Sequence, residues 1–118
     1  MQLTSKTIRL TFFGGAFGTL LRFALFVPLG DLISVLIVNL IGSALLGWFN
    51  GQKKLDTDEF NALWKTGFAG GFTTMSGFAA LVVLYGENLG ALAIVSAILI
   101  TGVSLAAYWL AFKISRAR

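Results

Sequence analysis

The sequence predicts an all-α membrane protein of four transmembrane helices, the third broken at mid-membrane, forming a single domain over residues 1–118. Three observations carry this. The chain is 57% hydrophobic and only 12% charged, about half the charge of an average soluble domain, and its mean hydropathy is +0.85. Four apolar runs, residues 10–29, 32–49, 66–85 and 89–112, approach or exceed the ~20 residues a helix needs to cross a bilayer. Together they leave too little polar sequence to coat a soluble fold.

The first run holds one charge, Arg22. Lys6 and Arg9 precede it, as in a secretory signal, but the run continues past signal length without a small-residue cleavage site, so a spanning helix is expected. A cation near the bilayer centre is unfavourable by at least ~2.5 kcal/mol. Arg22 lies about two turns from the end of its run, within snorkelling reach. Gly14, Gly15 and Gly18 share its helix face and let another helix approach. Two readings stay open: a packing stripe with a snorkelling Arg, or a cation drawing an anion into a vestibule.

Pro28, Gly30 and Asp31 are expected to form the first turn. The second run is uncharged, and Asn39, Gly42, Ser43 and Gly47 fall on one face. A lone Asn is either interhelical glue or an anion ligand, and spacing does not separate the two. The connection NGQKKLDTDEFNALWK, residues 50–65, is flanked by Trp48 and Trp64, residues that prefer the membrane interface. Within it, Asp56 and Glu59 match a capping box, with Leu55 and Phe60 as its staple, which predicts a short interfacial helix.

The third run carries GFAGGFTTMSGF, residues 67–78. Gly70 and Gly71 each weaken a helix by ~1 kcal/mol relative to Ala, and Thr73, Thr74 and Ser76 compete for backbone carbonyls. Non-helical backbone at membrane depth survives only inside protein or beside a water-filled cavity. Such a break turns carbonyls and amides toward ions, so an ion site is favoured over a plain kink. Gly86, Glu87 and Asn88 are expected to form the last turn. In the fourth run Thr101, Ser104 and Tyr108 share a face, as a hydroxyl track beside a pore or as ordinary packing.

The chain has no Cys and no His, which removes thiol, zinc and imidazole chemistry. Its five carboxylates all lie in or beside polar breaks. With no ATP motif either, an enzyme is not expected. The net charge of +4 forms no aromatic-interleaved basic patch, so nucleic acid is not expected as a partner. With four spans, one face holds Lys6, Arg9, Lys53, Lys54, Lys65, Lys113, Arg116 and Arg118, and the other only Asp31 and Glu87. The positive-inside rule then places both termini in the cytoplasm, in a multi-pass protein of the inner (plasma) membrane with one orientation.

The strings GGAFGTLLRF (14–23), VNLIGSALLGWF (38–49) and GFAGGFTTMSGF (67–78), in that order on four spans, resemble the Fluc (CrcB) family of small fluoride channels over nearly the whole chain. The resemblance implies passive export of cytoplasmic fluoride, relieving its toxicity, through two narrow pathways of an antiparallel, dual-topology dimer. It implies a central Na+ held by backbone carbonyls near Gly70 and Thr73. It places Asn39 and Phe78 on the anion path, with hydroxyls of Ser43, Thr74, and Thr101 or Ser104, and with Arg22 at a vestibule. Phenyl edges carry positive quadrupole character and suit a dehydrated anion. Met75 stands where the first of two pathway phenylalanines is usual, and a thioether lacks that edge. Gly77 replaces the usual Thr, and Leu81 stands where an acid often follows.

A dual-topology homodimer needs a chain that inserts both ways, whereas the basic residues here are wholly one-sided. The chain is therefore expected as one half of a paired, oppositely oriented heterodimer, with a homodimer as the alternative. Two rival functions are a small multidrug-type exporter, which needs a carboxylate at membrane depth, and a non-conducting helical partner subunit.

Overall fold

The computed structural model describes residues 2–118, and every regular element among them is helical. Three helices are long and apolar enough to cross a membrane: α1 (Ser5–Gly51), α2 (Asp58–Leu89, which is broken) and α3 (Ala91–Arg116).

A straight helix of 47 residues would be about 70 Å long, yet the molecule's longest dimension is 46 Å. The helix is interrupted at Gly30 (φ 79°, ψ 179°), a backbone conformation nearly closed to residues with a side chain. Both arms of α1 reach the same point of α2: Arg22 bonds to Thr73 and Asn39 to Thr74. The turn expected over Pro28–Asp31 thus narrows to Gly30 alone. Pro28 stays in the last turn of the first arm, where it removes one amide donor, and Asp31 opens the second arm.

Helix α1 begins at Ser5, earlier than its apolar run. Thr4 caps it, accepting from the Thr7 amide (3.2 Å), while the Thr7 hydroxyl accepts from the Thr4 amide (2.9 Å). These polar bonds extend the helix beyond the stretch that hydropathy marks.

The expected capping box at Asp56 and Glu59 is not the one formed. Thr57 caps α2, its hydroxyl accepting from the Phe60 amide at 3.2 Å. The Asp56 carboxylate instead accepts from Asn61 Nδ2 (2.9 Å) and pairs with Lys65 (3.7 Å), and Glu59 pairs with Lys6 (3.2 Å). No separate interfacial helix forms. A single 3₁₀ turn, Lys53–Leu55, precedes α2, which then runs unbroken from Asp58 to Phe72 through a π-wound stretch, Asn61–Ala69. The last turn also differs: α2 continues through Gly86–Asn88 to Leu89, and the chain reverses at Gly90 (φ 55°).

The glycines of the first arm set its distance to α2. A Cβ on Gly14 would lie 2.9 Å from the Phe68 nitrogen, and one on Gly18 2.8 Å from the Phe72 nitrogen, so only bare backbone fits this contact. Behind it, Val38, Phe68 and Phe72 form a core with Leu25, Leu45 and Trp64 packed on it. Only 6% of the most apolar stretch of α3 is buried, an outer surface suited to hydrocarbon rather than water.

The N-terminus, the 52–57 connection and the C-terminus meet at one end. Lys6 pairs with Glu59, Gln52 donates to the Ser115 carbonyl, and Ser115 donates to the Trp48 carbonyl. The basic residues of the connection and termini therefore collect there.

A polar cavity at a broken helix

In a continuous helix the Thr74 amide would donate to the Gly70 carbonyl and the Gly77 amide to that of Thr73. Neither bond forms. The Thr74 amide donates to Asn39 Oδ1 (2.8 Å), and Asn39 Nδ2 donates back to the Thr74 carbonyl (3.0 Å). One side-chain amide from the second arm of α1 thus replaces the helical acceptor of the Thr74 amide and adds a second donor to the Thr74 carbonyl, which also accepts from the Phe78 amide at 3.4 Å. The Gly77 amide turns to the Thr74 hydroxyl (3.0 Å), which caps Met75–Leu89 as a fresh helix. Below the break, the Thr73 amide and hydroxyl both donate to the Ala69 carbonyl (3.0 and 2.8 Å).

The carbonyls of Gly70 and Thr73 are left without their helical donors. Arg22 does not snorkel away from the interior: its Nη1 donates to the Thr73 carbonyl at 3.3 Å. Thr19 similarly donates to the Gly71 carbonyl at 3.3 Å. A carbonyl oxygen has two lone pairs, so the Thr73 oxygen retains capacity beside the guanidinium. Oxygen donors of this kind suit a hard cation, and the pair Gly70 and Thr73 fits Na+ in donor chemistry.

Beside the break lies a cavity of about 370 Å³ between the second arm of α1, α2 and α3. Of the residues expected at the site, Asn39, Ser43, Gly70, Thr73, Met75, Phe78, Thr101 and Ser104 all line it. Arg22 and Thr74 line a second cavity of about 530 Å³, with Phe23, Phe26 and Asp31. The fold therefore gathers most of the expected residues in one place and sets those two apart.

Their polar groups differ in availability. Asn39 carries two N–H donors and uses one on Thr74. The Thr101 hydroxyl bonds back to the Ala97 carbonyl at 2.8 Å. Ser43 and Ser104 present hydroxyls to the cavity with no hydrogen-bond partner among the described residues. Tyr108 does not continue the hydroxyl track, since its oxygen accepts from Asn50 Nδ2 at 2.9 Å. Phe78 is half-buried on the wall, and Met75 is 76% exposed.

Two features escape sequence reasoning. One is the clamping role of Asn39, which depends on a neighbour 35 residues away. The other is Lys65, which also lines the cavity and whose side chain is only 15% exposed. Had α2 been extended back to Asp58, the four-residue steps Lys65, Ala69 and Thr73 would have put it on the cavity face. The bond from Asn61, and next the charge of Lys65, hold the Asp56 carboxyl below its ordinary range.

Residues 9–112 match the model of a family described as CrcB-like protein, Camphor Resistance (CrcB). The chain is similar to Fluoride-specific ion channel FluC 1 of Corynebacterium diphtheriae, 38% identical over 69 residues, 58% of this chain and 63% of that protein. It thus spans less than two thirds of that relative's length. It is 36% identical over 108 residues to Fluoride-specific ion channel FluC 2 of Bacillus subtilis, covering 86% of this chain and 82% of the relative. To Fluoride-specific ion channel FluC of Francisella philomiragia subsp. philomiragia it is 36% identical over 112 residues, covering 84% and 86%.

Proposed function

The chain belongs to the CrcB family, and from that premise we propose that it is a passive fluoride-selective channel, not an enzyme, that lets cytoplasmic fluoride leave the cell. The observation that carries the reading is the one cavity that joins Asn39, Ser43, Phe78 and Ser104 beside the opened helix. A small halide entering it must shed water. The free N–H of Asn39, the hydroxyls of Ser43 and Ser104, and the ring edge of Phe78 offer replacement donors. No acid lines this cavity among the described residues, which disfavours proton-coupled drug exchange.

The two arms of α1, with α2 and α3, are read as four crossings of the plasma membrane, both termini cytoplasmic. The membrane potential then favours anion exit by about 2.3 kcal/mol per charge per 100 mV. A Na+ at the break would be held by the Gly70 and Thr73 carbonyls and would supply fixed positive charge there. Asn39, by accepting from the Thr74 amide, keeps the Gly70 carbonyl free of its helical donor, and the Thr74 hydroxyl does the same for the Thr73 carbonyl by accepting from the Gly77 amide.

The functional unit is read as an antiparallel dimer. The collection of basic residues at one end favours pairing with a distinct, oppositely oriented subunit over a homodimer. The test is fluoride-electrode efflux from liposomes holding the full chain, alone and with an inverted copy forced by added basic residues at its other end. Fluoride efflux above that of empty liposomes, with chloride at background, is expected when both orientations are present. Equal fluoride and chloride rates, or no fluoride efflux in either preparation, would overturn the channel reading. Full conduction by a chain inserted in one orientation alone would overturn the paired-subunit reading.

A further inference from the structure

We propose that Lys65 is the anion-receiving residue at the cytoplasm-facing mouth of the cavity, and that Asp56 holds its ammonium ready there. This rests on the channel reading given above.

Along α2, residues reach the cavity in the order Lys65, Gly70, Thr73, Met75, Phe78. Lys65 therefore stands at the end nearest the 52–57 connection, where the termini also meet. It is the only charged residue on the cavity wall among the described residues. Its side chain is 15% exposed, against 70% for that of Lys6. An ammonium with so little solvent about it interacts with a nearby anion far more strongly than a surface Lys does.

Its counter-ion is loose. Asp56 lies 3.7 Å away with its side chain 66% exposed, beyond the 2.7–2.9 Å of a strong charge-assisted hydrogen bond. Asp56 is also held by Asn61 Nδ2 at 2.9 Å. Asp56 thus stays in place, bonded to Asn61, when the ammonium turns away. Lys65 is then free to exchange one anionic partner, the carboxylate, for another, a small monovalent anion arriving from that side. The rest of the wall is neutral, so the ammonium receives the ion, and the amide and hydroxyl donors deeper in the cavity take it on.

Two measurements test this on the full chain. In detergent, ¹⁹F line broadening of free fluoride reads binding without requiring conduction. Lys65→Gln is expected to weaken binding about tenfold, the low end of focusing by a charged cleft. Lys65→Arg is expected to retain binding, and Asp56→Asn to strengthen it by removing the competing carboxylate. A purely structural Lys65–Asp56 pair predicts loss in both neutral variants, so the opposite signs are diagnostic. No broadening by the unaltered chain, equal broadening by Lys65→Gln, or weaker binding by Asp56→Asn would each overturn the proposal. In liposomes, Lys65→Gln is expected to slow fluoride entering from the side of the termini, with the deficit shrinking as salt screens the charge. Flux by the unaltered chain with no effect of Lys65→Gln would sink this inference while leaving the channel reading intact.

Discussion

Replacing Asn39 by Asp tests the clamp on the broken helix with the smallest possible change. The substitution keeps the Oδ1 that accepts from the Thr74 amide at 2.8 Å. It exchanges Nδ2, 3.0 Å from the Thr74 carbonyl, for an oxygen. Losing that bond removes ~1 kcal/mol of net stabilisation and leaves the Thr74 carbonyl only its longer bond from the Phe78 amide, at 3.4 Å. Placing an ionised carboxylate at membrane depth adds ~2.5–3.5 kcal/mol. The expected loss is about 4 kcal/mol at neutral pH, read by titrating the detergent-solubilised chain with a denaturing detergent, together with loss of fluoride flux in liposomes. Acidification should relieve both, because a protonated carboxyl regains an O–H donor for the Thr74 carbonyl. Unfolding free energy within ~0.5 kcal/mol of the unaltered chain, the range of inert surface changes, with undiminished flux, would refute the clamp.

Gly18→Ala and Gly70→Ala make a matched pair. The first drives a methyl to 2.8 Å from the Phe72 nitrogen and should destabilise by about 1–3 kcal/mol. The second meets nothing within 4 Å and should be neutral or stabilising by up to ~1 kcal/mol, by the same detergent titration. Thr74→Val removes the cap on the Gly77 amide and should lower stability by about 0.5–2 kcal/mol, with faster amide hydrogen exchange at residues 77 and 78. Asp56, in the connection before α2, titrates below its ordinary range, mainly through the bond from Asn61. Its contribution to stability should be complete above the ordinary carboxylate pKa of about 4. It should vanish as pH falls through the lowered value, and Asn61→Ala should shift the Asp56 carboxyl chemical-shift titration upward.

The apolar runs were legible because the bilayer imposes a length and a hydropathy that a one-dimensional count detects. Their ends were not, because local polar bonds set them. Thr4 and Thr7 extend α1, Thr57 caps α2 in place of Asp56, and a positive φ at Gly90 closes what Gly86–Asn88 were expected to close. The residue types of the site were readable as polar groups out of place in lipid, and Asn39, Ser43, Thr101 and Ser104 do meet in one cavity.

By itself, then, the sequence determined that this chain is helical and apolar, that its third long run carries helix breakers and hydroxyls from Gly70 to Ser76, and which side chains have the chemistry for an ion. Composition and spacing suffice for that, since burial in hydrocarbon penalises each misplaced polar group individually. Only the tertiary structure decided who satisfies whom at the break. Asn39 takes Thr74, Arg22 takes the Thr73 carbonyl, and Lys65 comes to the cavity wall. Those pairings join residues 35 or more positions apart, and the packing of arms that bare glycines bring together selects among donors the sequence leaves equivalent.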